Sequence, residues 1–197
     1  MKLHYYACRG HADKVRLFLT ELNVAYDDVI IGPKDSLQHL PFAMLPLLED
    51  GDVNIVGDSS ILRYLARKYD AYGNNSSEAA DVDMWAEVSD RIQQDLWNAP
   101  FMEPSLSDLQ VSEQKVQWLQ SKSAELYTLA MRVSMLRTFF LVGGKLSFAD
   151  LCLFAFLDSL HREVPLALLQ YPPLEKYHSF FSQRPSVKKL TVSGRRY

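Results

Sequence analysis

The apolar and polar positions divide this chain into two unequal parts. Up to about residue 70, strand-like and helix-like patterns alternate. Leu3 and Tyr5 alternate with His4 and Tyr6, which is the period of a short strand. Val15, Phe18, Leu19 and Leu22 then recur at helical spacing and form one apolar stripe. Tyr26 to Ile31 is rich in strand-favouring residues. Leu45 to Leu48 and Val53 to Val56 flank Asp50-Gly51, a pair suited to a tight hairpin turn. Ile61, Leu62, Leu65 and Tyr69 make a second helical stripe. This order predicts a mixed sheet with helices packed on it.

Tyr72-Gly73-Asn74-Asn75-Ser76-Ser77 breaks the composition and reads as a linker. Beyond it the pattern is helical throughout. Val82 and Ala86, then Leu119, Leu126, Leu129, Ala130 and Val133, then Leu151, Phe154 and Ala155 mark successive apolar faces. Leu146-Ser147-Phe148-Ala149-Asp150-Leu151 carries the signals of a helix start. Ser147 caps the free N–H groups, Asp150 reaches back to the N–H of the cap, and Leu146 and Leu151 are placed to staple. Pro172-Pro173 suits the first turn of a final helix. The expected domains are 1–73 and 79–197.

Bulk chemistry narrows the function. A net charge of −3 and the lack of a dense basic run speak against nucleic acid as partner. The Lys188-Lys189 and Arg195-Arg196 pairs are expected to be solvated ends. No apolar run reaches the length of a membrane span, and the first residues do not open a signal peptide, so a cytoplasmic protein is expected. Cys8 and Cys152 are far apart and lack metal-type spacing; no disulfide or metal is expected. Cys152 lies on an apolar helix and is expected to pack. Cys8 is expected to be a buried, inert thiol.

Three features converge. Leu3-His4-Tyr5-Tyr6-Ala7-Cys8-Arg9-Gly10, the Leu45-Pro46 hairpin and the Ser147–Asp150 helix start resemble the cytosolic glutathione transferases of the tyrosine type. The motif at Tyr5 is most similar to the pi and sigma classes. The resemblance implies a thioredoxin-like α/β N-terminal domain with a cis-proline at Pro46, and an all-α C-terminal domain. It implies a transferase that joins the thiol of glutathione, its co-substrate, to a small hydrophobic electrophile, with no metal. It further implies a homodimer in which Phe42 inserts into the partner subunit; an ordinary core aromatic is the other reading of Phe42.

Elementary chemistry supports a role for Tyr5. Thiolate is the nucleophilic form, and a phenol that donates a hydrogen bond to it favours ionisation. An adjacent helix N-terminus adds partial positive charge. By the same resemblance, the backbone of Leu45 pairs with the cysteinyl part of glutathione, beside Pro46 and Met44. His11 stands where an arginine is usual, and Lys34 is the candidate for the glycyl end. Gly57-Asp58 replaces the usual Gln-Ser or Glu-Ser, leaving Asp58 and Ser59 to hold the γ-glutamyl end. The acid expected to reach across the dimer falls at Arg91, with Asp90 one position away. These departures favour a second reading, a non-catalytic binding or scaffold protein on the same fold.

Overall fold

The computed structural model describes residues 1–192. The Arg195-Arg196 pair lies outside the described residues. Four strands form one sheet in the order β2-β1-β3-β4. They are β1 (Lys2–Tyr5), β2 (Asp27–Ile30), β3 (Leu47–Asp50) and β4 (Val53–Val56). β1 runs parallel to β2 and antiparallel to β3, and β3 runs antiparallel to β4. The hairpin turns at Gly51, whose φ of +62° suits a residue without Cβ. β3 begins at Leu47, two residues later than the apolar run suggests. Leu45 and Pro46 stand outside the ladder, and the bond between them is cis.

Two helices pack on this sheet: α1 (Ala12–Glu21) and α2 (Asp58–Lys68). Leu3 and Leu48, paired in register, meet Val15, Phe18, Leu19, Ile61 and Leu65 in one buried cluster. Each such side chain contributes about 1.5–3 kcal/mol by leaving water. A small mixed sheet with flanking helices is the thioredoxin-like arrangement expected.

The rest is helical among the described residues. α3 (Ser76–Trp97) starts on Asn75, whose side chain accepts from the N–H groups of Ser77 and Glu78. There follow α4 (Asp108–Ser121), α5 (Ser123–Ser134), α6 (Phe148–Glu163), α7 (Pro172–Ser182) and α8 (Pro185–Val192). Pro172 does open a helix, but α7 is not the last: a turn at Gln183 and Arg184 leads into α8. α6 is buried along most of its length, so it forms the axis of the helical domain. At its start Asp150 accepts from the N–H of Ser147 at 2.7 Å and from its hydroxyl at 2.9 Å. It also accepts from the Leu141 N–H and the Tyr177 hydroxyl.

Ionic contacts tie the two domains together. Arg9 meets Asp158 of α6 at 2.5 Å. Glu21 at the end of α1 receives Arg184 of the turn before α8 and Ser186 of α8. Arg63 and the Tyr72 hydroxyl both reach Asp83 of α3. No helix among the described residues is long and apolar enough to cross a membrane.

Candidate active site

Tyr5 ends β1, and its ring is buried at the entry to α1. Its hydroxyl accepts a hydrogen bond from the His11 N–H at 3.2 Å. A phenol oxygen that accepts in this way still has its own O–H to donate. Burial pushes the phenol above its ordinary value against the opposing pull of the His11 N–H; Cys8 and Asp58 add to the rise. The group therefore stays protonated at neutral pH, as a hydrogen-bond donor must.

Gly10 makes this contact feasible. Its φ is +146°, and a Cβ there would come within 2.7 Å of the Tyr5 oxygen. Arg16 supports the same loop from behind. It is almost wholly buried, forks onto Asp28 at 2.9 and 3.2 Å, and donates to the carbonyls of Cys8 and Tyr6. Its guanidinium also lies 5.7 Å from the Tyr5 ring centre.

Tyr5 faces a cavity of about 290 Å³ between the domains. Arg9, Gly10 and His11 line it from the first domain, and Gln93, Trp97, Met102, Ser159 and Arg162 from the second. The wall mixes apolar and polar groups, so it is less hydrophobic than expected for an apolar electrophile.

Beside the cavity lies an ionic network. The His11 ring packs edge-on against Trp97, and its Nδ1 is 3.1 Å from Asp58 Oδ2. Lys14 Nζ reaches the same oxygen at 2.8 Å and Asp90 Oδ1 at 2.6 Å. The Ser59 hydroxyl donates to Asp90 Oδ2 at 3.2 Å. Burial opposes the charge on Asp58, but the His11 hydrogen bond and the Lys14 ammonium override it and hold the carboxyl below its usual range. Burial likewise pulls Lys14 down, and Cys152, Asp58 and Asp90 more than offset it.

The candidates thus fall into two groups. Tyr5, His11, Asp58, Ser59 and Asp90 form one continuous cluster at the head of α1 and α2. Asp90, considered for a reach across a dimer, is engaged by Lys14 and Ser59 of its own chain. Leu45 is half-buried, Met44 exposed, and Lys34 lies in an exposed turn with no ion pair among the described residues. Phe42 is 87% exposed, which removes the core-aromatic reading. Cys8 is exposed, contrary to expectation, because the chain turns outward after β1; partial burial still pushes its thiol up. Cys152 is buried on α6 as expected.

Lys14, Arg16, Gln93 and Arg162 escaped the sequence reading. The helical period places Lys14 and Arg16 off the apolar stripe of α1, yet that helix is buried on nearly every side. No group of three or more metal-ligating side chains occurs among the described residues.

Residues 3–75 match the family model for the glutathione S-transferase N-terminal domain, and residues 107–193 the one for its C-terminal domain. A glutathione S-transferase of Dirofilaria immitis is 31% identical over 95% of this chain and 90% of its own length. This chain belongs to the glutathione S-transferase family. Glutathione S-transferase A4 of Bos taurus is 29% identical, with 98% of this chain and 88% of the relative covered. The Pi-class glutathione S-transferase of Onchocerca volvulus superposes with a TM-score of 0.86 at 30% identity, covering 98% and 92% of the two chains. Family membership makes the chain a transferase, and the architecture described above is the glutathione S-transferase fold.

Proposed function

We propose that this transferase conjugates the thiol of glutathione to small electrophiles in the cavity between its domains, with Tyr5 stabilising the thiolate. One observation carries the reading: a buried phenol, protonated and anchored by the His11 N–H, opens onto that cavity with its own O–H available. A thiol bound there gives up its proton more readily, because the phenol and the α1 N-terminus favour the anion. The thiolate, its proton released to solvent, then forms a C–S bond to the electrophile while the C–halogen bond of an aryl halide breaks and halide departs. The apolar part of the electrophile packs on Trp97 and Met102.

Glutathione would lie along the sheet edge. Leu45 keeps its N–H and C=O outside the strand ladder, available to the cysteinyl backbone, with Pro46 and Met44 beside it. Asp58 and Ser59 head α2, where Gly57 provides no side-chain cap, so the first N–H groups of the helix can receive the γ-glutamyl carboxylate. Asp58 takes the ammonium. His11 flanks this end, and Lys34 serves the glycyl end. The domains divide at 1–73 and 79–197, and two copies pair through Phe42. A cytoplasmic location agrees with the unpaired Cys8 and Cys152.

The scaffold reading has one observation in its favour. An ionised Asp58 stands where the resemblance places a neutral side chain. Calorimetric titration of glutathione, with Tyr5→Phe activity on an aryl halide, separates the two. The transferase reading expects wild-type binding, unchanged affinity in Tyr5→Phe, and a kcat lowered about 10- to 100-fold, the worth of one charge-assisted hydrogen bond. No binding at millimolar glutathione would leave the scaffold reading.

A further inference from the structure

We propose that Lys14 is a positioning residue for ligand recognition: it fixes the Asp58 carboxylate for the γ-glutamyl ammonium and links that grip, through Asp90, to the helical domain. The inference rests on the glutathione reading above and adds to it a residue and a coupling.

The two oxygens of Asp58 have different surroundings. Oδ2 receives Lys14 at 2.8 Å and lies 3.1 Å from His11 Nδ1. Oδ1 makes no hydrogen bond among the described residues, while the side chain keeps 15% of its surface exposed. One oxygen is therefore anchored and the other is presented. A carboxylate with a free rotor would lose side-chain entropy on gripping an ammonium. Here that loss has already been met in folding.

Lys14 is suited to this task by its burial. Its side chain is 4% exposed, so the ammonium cannot itself reach a ligand carboxylate in solvent. Its two short contacts go to α2 and α3, one in each domain. Without it, Asp58 and Asp90 would face each other across the space it fills. Two carboxylates in that position repel, and one of them takes up a proton more readily as the pH falls below neutral. An ammonium-binding group would then be neutralised.

The other groups around Asp58 are few. His11 approaches from the turn before α1, Tyr5 from β1, Asp90 from α3 and Cys152 from α6. All of these are retained in a Lys14→Met variant, so a comparison with wild type isolates the lysine.

The test is calorimetric titration of glutathione into wild type, Lys14→Met and Lys14→Met/Asp90→Asn from about pH 5 to pH 8. Wild-type affinity should change little over that range. Lys14→Met should bind about tenfold more weakly at neutral pH and weaken further as pH falls, because the carboxylate pair then takes up a proton. The double variant removes the facing carboxylate and is the safer one to fold. It should bind a few-fold more weakly than wild type, with no slope in pH. Wild-type affinity in both variants, or a uniform loss without pH dependence in Lys14→Met, would overturn the positioning role while leaving the glutathione reading intact. Failure of the wild type to bind glutathione would overturn both.

Discussion

Gly10 and the Tyr5 hydroxyl are so close that a Cβ on residue 10 would lie 2.7 Å from the phenol oxygen. The glycine is thus part of the setting of Tyr5, and its φ of +146° adds a backbone reason for its presence. Gly10→Ala should cost about 1–3 kcal/mol in stability from that conformation. It should also displace the hydroxyl and lower kcat about tenfold or more, with glutathione affinity nearly unchanged. Thermal melts and steady-state kinetics check this together. Wild-type turnover in a stably folded variant would show that the close approach does not hold Tyr5 in place.

Arg16 is the other support of that loop. It is 1% exposed and divides its donors between Asp28 and two carbonyls of the segment that follows β1. Arg16→Met leaves Asp28 buried without its fork, a change that costs about 3–5 kcal/mol. Arg16→Lys keeps the charge but not the planar geometry, and should fall between wild type and Met. Urea denaturation of the three proteins gives the order. A Met variant within 1 kcal/mol of wild type would remove Arg16 from the structural account.

These supports explain which parts of the molecule were legible in advance. The hairpin, the two helical stripes and the Ser147–Asp150 start are written in adjacent residues, and each reappears in the fold with ends shifted by a residue or two. The cis bond before Pro46 came only with the resemblance, since an X–Pro sequence is ordinarily trans. Lys14 was not legible because its meaning depends on partners 44 and 76 residues away (58 − 14 and 90 − 14). Periodicity assigns a charged residue off the apolar stripe to solvent, and α1 is instead enclosed by the sheet on one side and the helical domain on the other. Cys8 failed in the opposite sense: a free cysteine is ordinarily buried, and the loop turned this one outward.

Asp150 has a pH signature. Burial pushes its carboxyl up to about 6 from 3.8, even though four donors favour the anion. Between those values the folded state holds a proton that the unfolded state has released. Stability from this group is therefore fully present at low pH and falls as pH rises through about 6, by about 3 kcal/mol for a shift of this size. Asp150→Asn should abolish that slope. It should also destabilise the protein, by about 1–3 kcal/mol at neutral pH and by more at low pH, because an amide N–H₂ must then face groups that donate. Denaturation curves of both proteins at pH values from 4 to 8 give the difference profile. A difference that grows with pH, instead of shrinking, would show an ordinary acidic carboxylate at this position.

Phe42 gives the most direct test of the proposed assembly. An aromatic that is 87% exposed gains nothing for the isolated chain, and it sits on a turn where both Phe42 and Ala43 have positive φ, at 54° and 51°. Such a residue is explained if a partner surface covers it. A buried aromatic anchor at an interface is worth about 2 kcal/mol or more, so Phe42→Ala should raise the dimer dissociation constant about 30-fold or more. Because the side chain touches little of its own chain, the monomer should keep its far-ultraviolet circular dichroism and its melting temperature once dilute. Sedimentation equilibrium over a range of concentrations measures the change. An unaltered dissociation constant would place the interface elsewhere, and a wild type that stays monomeric at high concentration would end the homodimer reading.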